Sequence, residues 1–187
     1  ISATNNISYL THVLEEMNKS FKVKDLGALQ WSLSINFKKT TDGYSLNQTK
    51  YIEDILKRFE MQNCKPSSTP MNPRSSTSNL DEEPELADHK LFLQIIGSLT
   101  YLSTISRPDI SFAVAKLSRK NQLPTKEDLM DAKRILRYLQ GTKHLQIAYT
   151  KRGNYQLKAF VDSDWAGDLE SRKSTTGFVL TLADGPI

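Results

Sequence analysis

The stretch from Cys64 to Pro84 constrains the fold more than any other feature of the chain. It carries Pro66, Pro70, Pro73 and Pro84, a cluster of Ser, Thr and Asn, and the beginning of an acidic run. Proline fixes φ and removes a backbone donor, so neither a helix nor a strand of any length extends through such a segment. It is expected to be a linker, flexible over 65–86, with Ser67 to Glu83 mobile and open to proteases because only Met71 and Leu80 could anchor it. Two sets of elements must therefore form on either side. The 187 residues amount to one domain of average size or two small ones.

Ahead of the linker, Ile7, Leu10, Val13, Leu14, Met17 and Phe21 recur at the spacing of one helical face, with Asn6 or Ser8 as the cap. Leu29 to Lys38 and Tyr44 to Gln48 read as two strands joined around a turn with Asp42-Gly43 at its tip. A second helix, Gln48 to Met61, buries Tyr51, Ile52, Ile55, Leu56 and Phe59 and leaves Lys57 and Arg58 outside. Beyond the linker, a helix from about Asp88 runs through Phe92, Ile95, Ile96, Leu99 and Leu102. Pro108 suits the first turn of a new helix over Asp109 to Lys120. Thr125 and Asp128 resemble a capping box for a third helix, which reaches about Gln140 and stops at Gly141. His144 to Lys151 and Gln156 to Ser163 read as strands joined around Arg152-Gly153-Asn154. Leu157, Ala159 and Val161 alternate with Lys158 and Phe160, so the second of these strands can pair with Phe178 to Leu182 of a further strand, Gly177 to Leu182. The class is α+β.

Composition excludes several alternatives. With 38% hydrophobic and 25% charged residues, wholesale disorder and fibrous classes drop out. No run approaches the 18 apolar residues of a membrane helix, and ISATNNISYL lacks the basic and apolar regions of a signal peptide. The single cysteine, Cys64, can make neither an internal disulfide nor a zinc cluster. The chain opens on Ile1 and stops at Ile187 in mid-pattern, so it is expected to be part of something longer.

Charge is distributed unevenly. Five acids against one lysine lie between Leu80 and Lys90, whereas Arg107 to Arg152 holds eleven Lys and Arg against four Asp and Glu. That basic segment suits a polyanion, with nucleic acid first; a pair of solvated helix faces is the other reading. Within it, Lys133, Arg134 and Arg137 share the face of a helix opposite Leu129, Ala132, Ile135, Leu136 and Leu139, and Lys143 follows closely. Such a group suits a phosphate backbone, or its long stems simply cover apolar surface. The densest carboxylate site is Asp162, Asp164 and Asp168 at the end of a β-run. Oxygen ligands there suit magnesium; an Asp-rich turn with local hydrogen bonds is the plainer alternative. His12, His89 and His144 are scattered and indicate no catalytic pair.

Taken in order, KDLGALQWSLSINF, LNQTKYIEDILKRFEMQNCKPSSTPM, IGSLTYLSTISRPDISFAVAKLSR, DAKRILRYLQGT and FVDSDWAGDLESRKSTTGFVL resemble the Pol polyprotein of copia-type retrotransposons over nearly the whole chain. The resemblance implies that residues 1–48 are the end of a reverse transcriptase palm with a primer-grip-like hairpin. It further implies a helical thumb over 49–144, and the start of a ribonuclease-H-like domain over 145–187. Trp31, Ser32, Leu33 and Ser34 then match the hairpin that holds the primer end. Asp162 matches the first of four ribonuclease H carboxylates and a ligand of Mg2+ in the complete enzyme, with no tight binding expected here. The partners implied are a template-primer duplex of RNA and DNA and the rest of the polyprotein, with no membrane. The place implied is inside the cell, in a cytoplasmic virus-like particle.

The same resemblance implies RNA-directed DNA synthesis with ribonuclease H cleavage. The family's Y-x-D-D polymerase motif occurs nowhere in the chain, so the chain alone is expected to be inactive. A basic nucleic-acid-binding module without catalysis and a nonfunctional transposon relic are the alternatives. Three departures stand out: Ser34 where the family usually has glycine, Lys120-Asn121 for an aromatic-apolar pair, and Asp128-Leu129 for His-Trp. A lost apolar anchor would cost about 2 to 4 kcal/mol if its site is buried.

Overall fold

The computed structural model describes residues 4, 6–72, 85–151, 155–165, 172 and 174–187. Asn6 rather than Ser8 caps helix α1 (Ile7–Ser20), its side chain accepting the Tyr9 N–H at 3.1 Å. The expected apolar stripe forms, yet no residue of α1 is buried, and Ile7 and Phe21 remain 80% and 69% exposed. A first sheet follows, antiparallel throughout, with strands β1 (Trp31–Ser32), β2 (Ile35–Lys39), β3 (Gly43–Asn47) and β4 (Ile147–Thr150) in that order. The run Leu29 to Lys38 is thus not one strand. Leu33 and Ser34 interrupt it with φ of 50° and 60°, the left-handed pair of a two-residue hairpin turn.

Four helices build the core: α2 (Thr49–Arg58), α3 (His89–Ile105), α4 (Ser111–Ser118) and α5 (Lys126–Thr142). A single turn of 3-10 helix, Pro108–Ile110, leads into α4, so Pro108 starts a helix as its fixed φ suggests. Ile52, Ile55 and Leu56 of α2 meet Phe92, Ile95, Leu99 and Leu102 of α3 and Ile135, Leu136 and Leu139 of α5, all at 1% exposure or less. Burying that many branched and aromatic side chains, at about 1.5 to 3 kcal/mol each, is what makes four short helices one unit. Local signals agree with it. Asp88 caps α3 through the Leu91 N–H, and Thr125 and Asp128 complete the expected capping box of α5. Asp128 therefore serves the helix start, and Leu129 packs half-buried against the core, which limits the cost of that departure from the family pattern. At the other departure the Asn121 backbone carbonyl meets His89 Nε2 at 2.7 Å.

The linker expectation fails for its first part. Residues 65–72 lie along α5 and are tied to it: the Ser67 N–H donates to the Arg137 carbonyl, Arg137 Nε to the Lys65 carbonyl, and Arg134 to Thr69 Oγ1. Just before them, Gln140 donates to the Gln62 carbonyl. Proline forbids helix and sheet but not this kind of docking, in which side chains of a neighbouring helix satisfy the irregular backbone. Gly141 does not end α5, which runs on to Thr142; a Cβ there would sit 3.1 Å from Pro66 Cβ, so its missing side chain makes room for the strap. The rest of the expected linker, 73–84, lies outside the described residues. Beyond it the chain returns beside the start of α5, where Leu86 bridges Thr125 and the Lys126 N–H donates to the Glu85 carbonyl.

The second sheet has β5 (Lys158–Ser163), β6 (Thr176–Leu182) and β7 (Gly185–Pro186) in order. The strands at 144–151 and 156–163, neighbours in sequence, do not pair with each other. Strand β4 pairs with β3, matching Gly43 to Thr150 and Leu46 to Ile147, while β5 pairs with β6 as its alternation predicts. Two glycines explain the choice. A Cβ on Gly43 would lie 1.9 Å from the Tyr149 carbonyl oxygen, and one on Gly185 2.5 Å from its ring, so both bare backbones admit β4 where a side chain would expel it. The Tyr149 hydroxyl donates to the Pro186 carbonyl at 2.6 Å, joining β7 to β4 of the first sheet, and burial pushes its pKa up.

Candidate nucleic-acid interface

The hairpin Trp31–Ser34 stands against the helical unit rather than apart from it. The Tyr101 hydroxyl of α3 donates to the Leu33 carbonyl, and Lys50 of α2 sits over the Trp31 ring at 5.9 Å from its centre. Tyr51 meets Tyr101 edge to face with centres 5.2 Å apart. Between these elements lie two recesses that share Tyr51. One, of about 270 Å3, is lined by Trp31, Ser34, Lys50, Tyr51 and Asp54. The other, of about 590 Å3, is lined by Tyr51, Arg58, Leu93, Gln94, Gly97 and Ser98. Beyond its chain neighbours and the backbone of its own helix, no atom lies within 4 Å of where a Gly97 Cβ would be, so α3 presents bare backbone to an open recess. Aromatic faces, two cations and an accessible helix backbone along one track suit a sugar-phosphate chain better than a compact ligand.

The basic face of α5 is organised differently from its sequence. Lys133, Arg134 and Arg137 do share that face, and all three are half-buried. Arg134 and Arg137 spend donors on the strap, and Lys143 lies 3.4 Å from Glu53 of α2. The structure thus brings Arg134 and Arg137 together under residues 65–72, with Lys133 on the same helix and Lys143 beyond its end.

Arg107, one of the cations of the basic segment, is 1% exposed. Its guanidinium grips Asp109 with two bonds of 2.9 and 2.8 Å and donates to the carbonyl and hydroxyl of Thr142 at 3.1 and 2.6 Å. Tyr138 completes the cluster, its hydroxyl donating to Asp109 at 2.9 Å while its ring lies 5.6 Å from the guanidinium carbon. Burial raises the Asp109 pKa, but the Arg107 hydrogen bonds and charge, helped by Tyr138, outweigh it and hold the carboxyl below its ordinary value. Burial and the Asp109 hydrogen bond push the Tyr138 pKa up. This clamp locks the α3–α4 corner to the last turn of α5, where a cation also meets the negative end of the helix. The sequence carried a signal for it: Arg and Asp flank a proline between two apolar helices, and Tyr138 and Thr142 stand four apart on the facing helix.

Asp162 lies on exposed β5, opposite Gly177 of β6, and accepts the N–H of its own neighbour Ser163 at 2.9 Å. Asp164, two residues on, accepts the Thr175 N–H. Asp168 lies outside the described residues. Among the described residues no three His, Cys, Asp or Glu come close enough to hold a metal ion. With one carboxylate turned to its own backbone and the other closing a turn, the described residues do not by themselves fit a magnesium centre.

The family model for "Reverse transcriptase (RNA-dependent DNA polymerase)" matches residues 1–73. The retrovirus-related Pol polyprotein from transposon RE1 of Arabidopsis thaliana is 40% identical over 183 residues, covering 98% of this chain and 12% of the relative. The corresponding polyprotein from transposon TNT 1-94 of Nicotiana tabacum is 37% identical over 180 residues, 92% of this chain and 13% of its own length. An uncharacterized mitochondrial protein of Arabidopsis thaliana is 39% identical over 174 residues, 92% of this chain and 71% of the relative. No solved structure matches. The chain therefore spans about an eighth of those two polyproteins and most of the mitochondrial protein.

Proposed function

This chain belongs to the family of retrovirus-related Pol polyproteins of copia-like transposons, and from that premise we propose that it is the primer-side support of an RNA-directed DNA polymerase. The observation that carries the reading is the pair of recesses that share Tyr51, one between the Trp31–Ser34 hairpin and α2 and the other between α2 and α3, with the hairpin held to α3 by Tyr101. A template-primer duplex lying there meets Lys50 and Arg58 through its phosphates and the open backbone at Gly97 through its sugar edge. The hairpin tip, held by Tyr101, fixes where the primer end lies. Lys133, Arg134, Arg137 and Lys143 then act at longer range, through charge. The carboxylates that phosphoryl transfer needs come from elsewhere in the polyprotein, so the chain alone binds and does not extend. Asp162 is the first carboxylate of the ribonuclease H centre once downstream residues complete it.

Binding of an RNA/DNA hybrid to the purified chain, followed by fluorescence anisotropy across a salt series, tests this. Arg58→Gln and Lys50→Gln are each expected to flatten the slope of log K against log salt by about 0.9, and Lys133→Gln to do less. Unchanged slopes in both groove variants would remove the groove from the interface. Primer extension by the chain alone that disappears on a point change within it would overturn the division between binding and chemistry.

A further inference from the structure

Thr69-Pro70 is the single Ser/Thr-Pro step in the chain, and it lies in the strap that crosses α5. Thr69 is exposed, in a segment that is neither helix nor strand. Its hydroxyl oxygen accepts Arg134 Nη2 at 2.9 Å and donates to the Met71 carbonyl at 3.1 Å. The Nε of the same guanidinium is buried and, among the described residues, has no hydrogen-bond partner. Below it, Arg137 Nε holds the Lys65 carbonyl at 2.8 Å and its own carbonyl takes the Ser67 N–H at 3.2 Å. The site thus pairs an accessible hydroxyl before a proline with a fixed arginine whose donors are only partly used.

We propose that Thr69 is a phosphorylation site for a proline-directed protein kinase, and that the phosphothreonine locks the strap to α5 through Arg134. In the modification, the kinase's base takes the hydroxyl proton while Thr69 Oγ1 attacks the γ-phosphorus of ATP. The bond from that phosphorus to the β-γ bridging oxygen breaks, and ADP leaves with the electron pair. The product places about −1.5 to −2 charges and three acceptor oxygens beside the guanidinium. A planar fork pairs with phosphate in two-toothed fashion, so a single neutral hydrogen bond becomes a charge-assisted pair. The same charge offsets the basic face that Lys133, Arg134 and Arg137 form, so modification both closes the strap and weakens the long-range pull on a polyanion.

The test uses the purified chain, ATP and a proline-directed kinase of the cyclin-dependent class, with intact mass and site mapping. One phosphate on Thr69 is expected in the native chain, none in Thr69→Ala, and incorporation restored in Thr69→Ser. Hydrogen exchange then reads the lock: the Ser67 amide should slow about tenfold on phosphorylation, keep most of that gain in no variant that lacks the fork, and show only a partial effect in Arg134→Lys, which retains the charge. Phosphate on another residue, no incorporation at Thr69 in the native chain, or equal slowing in Arg134→Gln and wild type would each overturn the proposal.

Discussion

Helices α2 to α5 and the hairpin of β5 and β6 carry apolar residues in equally regular patterns, yet they differ in what those residues touch. In the helical unit Phe92, Leu99 and Leu136 are completely buried. In the hairpin Phe160 pairs with Val179 and Val161 with Phe178 in perfect register, and all four stay exposed, Phe160 at 60% and Val161 at 70%. Backbone pairing settles the register of a strand, but burial needs a second layer. The helices are each other's second layer, and among the described residues the hairpin has none. Stability in this chain should accordingly reside in one region and be nearly absent from the other.

The comparison breaks most sharply at the Arg107 clamp. Arg107→Ala strands the Asp109 carboxylate and frees the end of α5, and should cost about 3 to 5 kcal/mol in urea unfolding followed by helical circular dichroism. A loss below about 1 kcal/mol would mean that the clamp contributes little. Its acid dependence has a definite sign. The folded-state pKa of Asp109 is lowered from 3.8, so the contribution is complete above that value and fades as pH falls through the lower folded value. An acid titration of stability should show that loss in wild type and lack it in Arg107→Ala. Leu136→Ala, which hollows the core, should cost about 3 kcal/mol on the same assay. Ser34→Gly should stabilise by about 1 kcal/mol, since Ser34 holds a left-handed φ that glycine adopts freely, and amides of β1 and β2 should exchange more slowly. Phe160→Ser should change the helical transition by less than about 0.5 kcal/mol. A larger effect there would show that the hairpin is coupled to the core after all.

Much of the helical unit was legible in the sequence because its evidence is local. The stripe Ile52, Ile55, Leu56, the capping box at Thr125 and the helix start at Pro108 each involve residues within a turn or two. What escaped depends on residues far apart. Nothing near Ile147 announces that its strand pairs with Leu46, and the proline count at 64–84 hides that residues 65–72 find donors on α5. The basic helix face was legible in part for the same reason: periodicity places Arg134 and Arg137 outside the core, but it cannot tell solvent from a strap. For the candidate site, the residues Trp31 to Ser34 were legible only through family likeness. The groove beside them needed the fold, because Gly97 and Arg58 come from helices separated by the whole linker.

The pairing of β3 with β4 also sets an order of events in time. Leu46 and Ile147 lie roughly a hundred residues apart, with every core helix between them. Closing so long a loop before its contents have collapsed is entropically slow, whereas helices in contact with their sequence neighbours assemble early. On a ribosome, which adds residues from the amino terminus, β3 must wait as a bare edge until Thr150 has emerged. The helical bundle is then the scaffold that brings the two strands within reach, and a chain that stalls before β4 leaves that edge open to pairing with a neighbour.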